Sequence, residues 1–303
     1  MSKLIDFKEN GKYGFKDENG IVAVPAVYDD VYPFIEGMAV VKKNGKWGFV
    51  DKSGALVVPC DYDFAGGFSE GLAKVEKNGK WGYIDKTGAL VVPCEYDDAY
   101  SFNEGMALAQ KNGKCGYIDK SGTEVLPFEY DNAESFSEGL AKAQKNGKWG
   151  YIDKSGAEVV PCKYDYIGSF SEGMALAKKN GKWGYIDKSG AEVVSCKYDY
   201  IGDFSEGLAR VQKDGKEIYL DKKNNRYTQE NAREYRRIYS SYVAVMDEII
   251  EKANEEILAL DEKDDFAEIN IILNRVEVEL EKLKSETEKK LTKIPKIEES
   301  ENS

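Results

Sequence analysis

Hydrophobic and polar residues follow a pattern that returns every 34 residues over most of the chain. In the copy at residues 168–199, two short apolar stretches flank Asn180-Gly181, a pair that favours a type I′ hairpin turn because both residues tolerate positive φ. A second turn at 188–190 leads into a third apolar stretch. We therefore expect each copy to be a three-stranded antiparallel meander. In this copy the strands are expected at 174–179, 182–187 and 191–194, with a short fourth strand as an option at 198–201.

Seven copies follow one another without an insertion, which predicts tandem β modules in a mainly β fold. The end copies are degenerate: the first has Tyr13 where most others have Trp, and the last has Glu217-Ile218 in place of Trp-Gly. Atypical end units are typical of open stacks, because their outer faces meet solvent. A unit of 34 residues is also short for a four-stranded propeller blade. We predict a curved open array, with a propeller-like ring as the alternative.

Aromatic residues recur at fixed positions of the repeat. A unit of this size cannot bury a core alone, so two aromatic columns are expected to pack between neighbouring copies. They are Phe34, Phe68, Phe102, Phe136, Phe170 and Phe204, and Tyr28, Tyr62, Tyr96, Tyr130, Tyr164 and Tyr198. A third column is either packed in the same way or forms a binding platform that stacks sugars or bases, and its exposure to solvent would decide between the two. This candidate binding surface consists of Trp47, Trp81, Trp149 and Trp183.

Four motifs occur in the same order in the copies: Lys-Trp-Gly-Tyr-Ile-Asp-Lys-x-Gly, Val-Val-Pro, Tyr-Asp, and Phe-Ser-Glu-Gly-Leu-Ala. Together they resemble the bacterial WG-repeat proteins, over about residues 4–223. The resemblance implies β-rich repeat modules that act as binding or scaffolding elements. It implies no shared catalytic residues.

The period ends near Asn225, and the composition changes. Apolar residues at spacings of three and four then predict two helices. The first stripe is Tyr242, Met246, Ile249, Ala253, Ile257 and Leu260, and the second is Phe266, Ile269, Leu273, Val276, Leu280 and Leu283. We expect an antiparallel hairpin that either caps the last repeat or docks a partner or a second copy as a coiled coil. The predicted organisation is repeats at 1–225, helices at 226–293 and a disordered tail at 294–303.

Net charge, the lack of long apolar runs and the placement of the cysteines each disfavour a class of function. The net charge of -12 disfavours nonspecific nucleic-acid binding, which needs an excess of Lys and Arg. Residues 1–6 contain no apolar leader, and no run approaches a membrane span, so we expect a cytoplasmic protein. Four cysteines share one column with Ala26 and Phe128, which indicates packing rather than metal ligation. They are Cys60, Cys94, Cys162 and Cys196.

Two acidic columns are the only repeated candidates for chemistry. We interpret both as turn caps, because paired catalytic carboxylates need unlike environments, whereas these columns repeat the same one. They are Asp17, Asp51, Asp85, Asp119, Asp153, Asp187 and Asp221, and Glu36, Glu70, Glu104, Glu138, Glu172 and Glu206. Calcium-binding ladders and paired catalytic carboxylates are the alternatives. The chain has no histidine and hence no histidine-based catalytic relay.

The sequence therefore predicts a non-catalytic scaffold that needs no cofactor or metal and binds another protein through the repeat surface. The alternative is a carbohydrate- or cell-wall-binding module.

Overall fold

The computed structural model describes residues 3–171, 173–260 and 266–297, without the side chains of residues 266 and 267. The chain divides into two compact units, and the boundary along the sequence lies between Ile167 and Gly168. Neither described helix carries an apolar stretch of the length that crossing a membrane requires.

In the first unit, a three-stranded antiparallel sheet is followed by four-stranded ones, each a meander in sequence order. The strands are β1 Ile5–Glu9, β2 Lys12–Lys16 and β3 Val22–Tyr28; β4 Asp30–Val31, β5 Met38–Lys43, β6 Lys46–Asp51 and β7 Leu56–Tyr62; β8 Phe64–Ser69, β9 Leu72–Lys77, β10 Lys80–Asp85 and β11 Leu90–Tyr96; β12 Asp98–Ala99, β13 Met106–Lys111, β14 Lys114–Asp119 and β15 Glu124–Tyr130; β16 Asn132–Ala133, β17 Leu140–Lys145, β18 Lys148–Asp153 and β19 Glu158–Tyr164; and β20 Tyr166–Ile167.

The backbone angles of the turns are those that their Asn and Gly residues favour. Asn44 and Gly45 both have positive φ, 53° and 82°, as the predicted type I′ hairpin requires. In the second turn Gly54 has φ 87°, and its N–H donates to the Asp51 carbonyl. The structure confirms the predicted meander.

Two details of the meander differ from the prediction. The short strand that we placed after the third strand begins the next sheet instead: Asp30 and Val31 pair with β5 and not with β3. The third strand also runs beyond its predicted end: the strand expected at 191–194 spans Glu192–Tyr198, and in the equivalent β7 Pro59 lies inside the strand, at a bulge where the register shifts. A bulge tolerates proline since its N–H has no ladder partner there.

Neighbouring sheets of the first unit pack face to face. Val40 and Phe49 share a buried cluster with Ala73, Val75 and Ile84 of the following sheet. Rings from the Phe column meet rings of the preceding sheet, as in Phe49–Phe68, whose centroids are 5.1 Å apart. The stronger contacts between sheets join each one to the next in sequence, so this unit is an open tandem array with its core between modules.

The second unit continues the same pattern and ends in helices. Its strands are β21 Met174–Lys179, β22 Lys182–Asp187 and β23 Glu192–Tyr198, followed by β24 Tyr200–Ser205, β25 Leu208–Lys213, β26 Lys216–Asp221 and β27 Arg226–Tyr227. The helices are α1 Gln229–Leu258 and α2 Phe266–Leu291. The fold class is thus the predicted one: tandem antiparallel β repeats followed by a helical hairpin.

The hairpin packs on the last sheet. Thr228 caps α1 by accepting the N–H of Asn231. Leu208, Tyr219 and Tyr227 share a buried cluster with residues of α1, including Tyr235. The predicted boundary at 225/226 therefore does not separate compact units.

One position of the predicted helical stripes is wrong, and so is the predicted start of the tail. Leu273 is 50% exposed, and Ile272 takes the half-buried position because the stripe of α2 steps from 269 to 272. The side chain of Phe266 and the charged break at 261–265 lie outside the described residues. The tail does not begin at 294, since Ile294 is only 6% exposed and the N–H of Ile297 donates to the Arg226 carbonyl. Residues 298–303 also lie outside the described part.

Candidate binding surfaces

A row of aromatic side chains crosses several sheets of the first unit, and we call it the aromatic strip. It consists of Tyr32, Trp47, Phe64, Trp81 and Tyr100. Tyr32 stacks on Trp47 with ring centroids 5.5 Å apart. Phe64 comes from the following sheet and lies between the two tryptophans, 6.2 Å from Trp47 and 5.4 Å from Trp81. Tyr100 joins the row through Lys74, whose Nζ lies 4.8 Å from the Trp81 centroid and 5.5 Å from the Tyr100 centroid. The stacking of repeats thus brings rings that are distant in sequence into one row.

Two lysines lie over the tryptophan rings of the strip. The Nζ of Lys42 is 5.0 Å from the ring centroid of Trp47, its cross-strand neighbour. The Nζ of Lys74 is 4.8 Å from the Trp81 centroid and donates to the Ala99 carbonyl at 3.0 Å. Its partial burial lowers the pKa of Lys74, and the charge of Asp98 opposes that shift. Cation–π contacts of this kind favour the ammonium form.

The members of the strip differ in exposure. Tyr32, Tyr100 and Phe64 are 48%, 44% and 37% exposed, whereas Trp47 is 6% exposed. Trp81 is half-buried. The tryptophans therefore form the base of the strip, and the tyrosines and the phenylalanine form its outer surface.

The predicted tryptophan column is only partly brought together. Trp47 and Trp81 are linked through Phe64. Trp149 is half-buried. Trp183, in the second unit, is half-buried beneath Lys178, whose Nζ is 4.9 Å from its centroid. Trp47 is thus buried, and the other three tryptophans are half-buried.

The exposed members of the strip were missed by sequence reasoning, which looked for positions that recur. Tyr32 and Tyr100 share a column with Gly66, and Phe64 shares one with Asp30. The sequence did contain a signal for these residues: they are aromatic residues at positions of the repeat where other copies have different residue types. Positions that are not needed for folding are the ones that can vary between copies.

The aspartate column caps turns, as predicted. The Oδ1 of Asp51 accepts the N–H groups of Ser53 at 2.8 Å and Ala55 at 3.0 Å and the Ser53 hydroxyl at 2.6 Å. These bonds, the hydroxyl first, lower the pKa of Asp51. The same arrangement recurs at Asp85 and Asp153. In the described part of the chain, no three Cys, Asp or Glu side chains cluster in a way that could hold a metal ion.

The predicted role of the glutamate column is wrong for Glu36, Glu70 and Glu104, whose side chains bond to the turn of the following sheet and not to their own turn. Glu36 has a φ of 51°, and its Oε2 accepts the N–H of Gly71 from the following sheet at 3.1 Å. Lys86, also of that sheet, pairs with the same oxygen at 3.0 Å and is the main cause that lowers the pKa of Glu36. We call this arrangement the glutamate lock. It recurs at Glu70, bonded to Gly105 and Lys120, and at Glu104, bonded to Gly139 and Lys154. Glu172 lies outside the described residues.

The last glutamate of the column meets a helix instead of a sheet. The hydroxyl of Ser240 on α1 donates to Glu206 Oε1 at 3.0 Å, and the Nε of Arg236 is 3.6 Å from Oε2. A hydroxyl and a guanidinium replace the glycine N–H and the lysine of the glutamate lock. The first turns of α1 thus occupy the place of a further repeat.

The five cysteines are free. Cys115 is buried, and the others are half-buried. The thiol of Cys162 lies 3.5 Å from the Ala143 carbonyl, and burial raises its pKa to about 11. This agrees with the packing role expected for the column and indicates unreactive thiols.

Comparisons with solved structures find distant likenesses. A eukaryotic initiation factor aligns with 75% of this chain and 73% of its own, at 12% identity and a TM-score of 0.45. Kluyveromyces lactis Hsv2 covers 62% of this chain and 71% of its own, at 8% identity and a TM-score of 0.33. The Neurospora crassa Pan2 WD40 domain covers 62% and 72%, at 12% identity and a TM-score of 0.28. At these scores the likenesses carry no argument about function.

None of the curated proteins compared with the chain matches it. The WG containing repeat profile, in contrast, matches six consecutive segments, 13–47, 47–81, 81–115, 116–149, 149–183 and 183–216. These segments hold the tryptophan column, the glycine turns and the aspartate caps described above, and they span well over half of the chain. The chain therefore belongs to the family of WG-containing repeat proteins.

Proposed function

We propose that the protein is a non-catalytic interaction scaffold that binds a protein partner through the aromatic strip. The single observation that supports this most directly is the continuity of the strip: neighbouring rings from Tyr32 to Trp81 are 5.4–6.2 Å apart, and the Trp47–Phe64 pair joins one sheet to the next. Monomeric proteins rarely expose contiguous apolar surface without a binding role.

The composition of the strip favours a protein partner. Tyrosine and tryptophan are enriched at the centres of protein interfaces, where a large ring is buried at little entropic cost. Lys42 and Lys74 add two ammonium groups beside the rings. The partner segment that complements this surface carries apolar side chains flanked by carboxylates.

The carbohydrate-binding alternative is less well supported. A sugar stacks on an open ring face, whereas Trp47 is 6% exposed, and lysines cover the rings of Trp81 and Trp183. Within the strip, the exposed rings are the smaller ones of Tyr32, Phe64 and Tyr100.

We assign the helical hairpin two roles along its length. Near the last sheet it caps the array, an assignment that the hydrogen bond of Ser240 and the ion pair of Arg236 with Glu206 support. Farther along, it is suited to self-association or partner docking, because Leu258, Ile271 and Val278 are 84%, 67% and 69% exposed. We place the protein in the cytoplasm, where a reducing environment suits five free thiols, and propose neither nucleic-acid nor membrane binding.

The strip is tested by replacing its exposed rings together. The triple variant Tyr32→Ser, Phe64→Ser and Tyr100→Ser removes the outer surface and leaves Trp47 in place. Tagged chains are used to capture proteins from a lysate of the native host, and captured proteins are quantified by mass spectrometry. We expect proteins bound by the wild type to fall at least about tenfold, since one interface hot spot contributes 2 kcal/mol or more.

A matched control removes the same number of exposed apolar side chains from another part of the repeat. Ile21, Leu56 and Leu90 are 68%, 47% and 51% exposed near the second turns. Their triple change to Ser is expected to keep the captured proteins. Equal capture by the aromatic variant and the wild type would assign binding to a different surface.

A further inference from the structure

The two helices of the hairpin pack against each other in a defined register. A guanidinium nitrogen of Arg275 on α2 lies 2.5 Å from the carboxylate of Glu256 on α1. Because the helices are antiparallel, the residue two positions after Glu256 is level with the residue two positions before Arg275. The ion pair therefore places Leu258 level with Leu273.

These two leucines lie on the side of the hairpin opposite to the ion pair. In α1, the turn of 3.6 residues places Ile250 and Leu258 to one side of the buried Ala253, and the paired glutamate to the other. In α2 it places Leu273 to one side of the half-buried Val276, and the paired arginine to the other. We call Ile250, Leu258 and Leu273 the hairpin apolar face. Their side chains are 39%, 84% and 50% exposed.

Unpaired carboxylates border the hairpin apolar face. Asp247 and Glu251 lie farther around α1 from it, and Glu277 lies one turn after Leu273 on α2. All three acidic residues are exposed, and none of their carboxylates forms an ion pair within the part of the chain that the structure describes. Such a rim repels a second copy of the same face, because like charges would meet, and attracts a partner that carries cations.

The spacing of the apolar residues matches a helix. Ile250 and Leu258 are two turns apart on α1, which is about 12 Å along its axis. A partner helix with apolar residues at positions i, i+4 and i+7 or i+8 presents anchors at the same spacing. Lysines or arginines beside that stripe would face the carboxylates of the rim.

From these observations we propose that the hairpin apolar face docks an amphipathic helix of a partner protein, with lysines or arginines flanking its apolar stripe. The inference rests on the partner-docking role proposed above for the hairpin and adds the chemistry of the partner. The hairpin thereby selects a partner segment of opposite charge to the one that complements the aromatic strip, where the lysines favour carboxylates.

The probe that tests this surface is a fluorescein-labelled peptide of about 14 residues, with leucines along one side of its helix and lysines elsewhere. One comparison peptide has the same composition in scrambled order, and another has glutamate in place of every lysine. Each peptide is titrated with the full chain, and fluorescence anisotropy measures binding. We expect the probe to bind at least about tenfold more tightly than either comparison peptide. Added NaCl should weaken that binding, because salt screens the charges.

Two matched double variants locate the site on the hairpin. Leu258→Ser with Leu273→Ser is expected to weaken probe binding at least about tenfold, since burial of a single leucine contributes that much. Ile271→Ser with Val278→Ser changes two residues of α2 that are 67% and 69% exposed outside the hairpin apolar face, and it should leave binding unchanged. Circular dichroism verifies that both variants fold.

Equal probe binding by the leucine variant and the wild type, or equal binding of the probe and the scrambled peptide, would overturn the inference. A dimer in sedimentation velocity that the leucine variant abolishes would also overturn it, because a second copy would then cover the face. The triple variant of the aromatic strip should bind the probe like the wild type, whether or not it captures proteins from a lysate. Loss of probe binding in that variant alone would overturn the inference and leave the function proposed for the strip standing.

Discussion

At the scale of single residues, the glycine of Trp-Gly has a role that spacing alone does not reveal. A Cβ at Gly82 would lie 2.4 Å from the Val92 carbonyl oxygen, because the bulged third strand passes directly over it. The last repeat has Ile218 at this position, and there the third strand is the short β27, which pairs with β26 without a bulge. The glycine is therefore required by the bulge, and both are lost together.

Gly82→Ala should destabilise the protein by about 2–3 kcal/mol, as expected for overpacking against a backbone that cannot retreat. Gly79→Ala, in the neighbouring turn, is the control. Its Cβ would meet nothing within 4 Å and would be penalised only by the φ of 74°, at about 1 kcal/mol. Urea denaturation measures both, and equal losses would contradict the role of the bulge.

At the scale of elements, the structure shows how the array ends. Each glutamate lock ties a sheet to the next through a glycine N–H and a lysine, and α1 offers Ser240 and Arg236 to the last one. The helix also covers Leu208 and Tyr227, which would otherwise be an exposed sheet face. The helix thus caps the array in two ways: it buries apolar side chains of the last sheet, and it supplies polar partners to Glu206 in place of those that a further repeat would supply.

Tyr235→Ala should loosen the hairpin from the last sheet, at a cost of about 3–5 kcal/mol for a buried aromatic side chain. Hydrogen exchange followed by mass spectrometry is expected to show faster exchange in α1 and β27 and no change in β5 to β7. Val245→Ala, at a position of the same helix that is 39% exposed, is the control. Uniform acceleration throughout the chain would instead indicate global unfolding.

The sequence was sufficient for local features. Strands and turns followed from the 34-residue period and from Asn-Gly pairs, because both depend on residues that are adjacent in the chain. It was insufficient where the partner is distant: the sheet to which Asp30–Val31 belongs, the reach of Glu36 to Gly71, and the exposed Tyr32 and Phe64 all depend on how modules stack.

At the scale of the whole molecule, the pKa values of carboxylates and of buried tyrosines are shifted in opposite directions. Carboxylates such as Asp63 and Asp51 have lowered pKa values, chiefly through hydrogen bonds from Lys46 and from the Ser53 hydroxyl. Buried tyrosines such as Tyr83 and Tyr117 have raised pKa values, chiefly through burial. The chain has no histidine between these classes.

Stability should therefore be flat between about pH 5.5 and 8.5. The carboxylates stabilise the fold above their unfolded pKa of about 4, and this contribution is lost as the pH falls through their lower folded values. The tyrosines stabilise the fold below their unfolded pKa of about 10, and this is lost as the pH rises towards their higher folded values. Urea midpoints at constant ionic strength measure the profile, and a transition near pH 6.5 would contradict it.

The regular offset of the glutamate lock has a consequence for how such chains evolve. Glu70 and Glu104 meet equivalent partners one module later, so removal of residues 98–131 would bring Glu70 opposite Gly139 and Lys154 with the same chemistry. Recombination between copies of the underlying DNA would then lengthen or shorten the array in whole units while every junction stays complementary. Copy number is a trait that this architecture leaves open to selection.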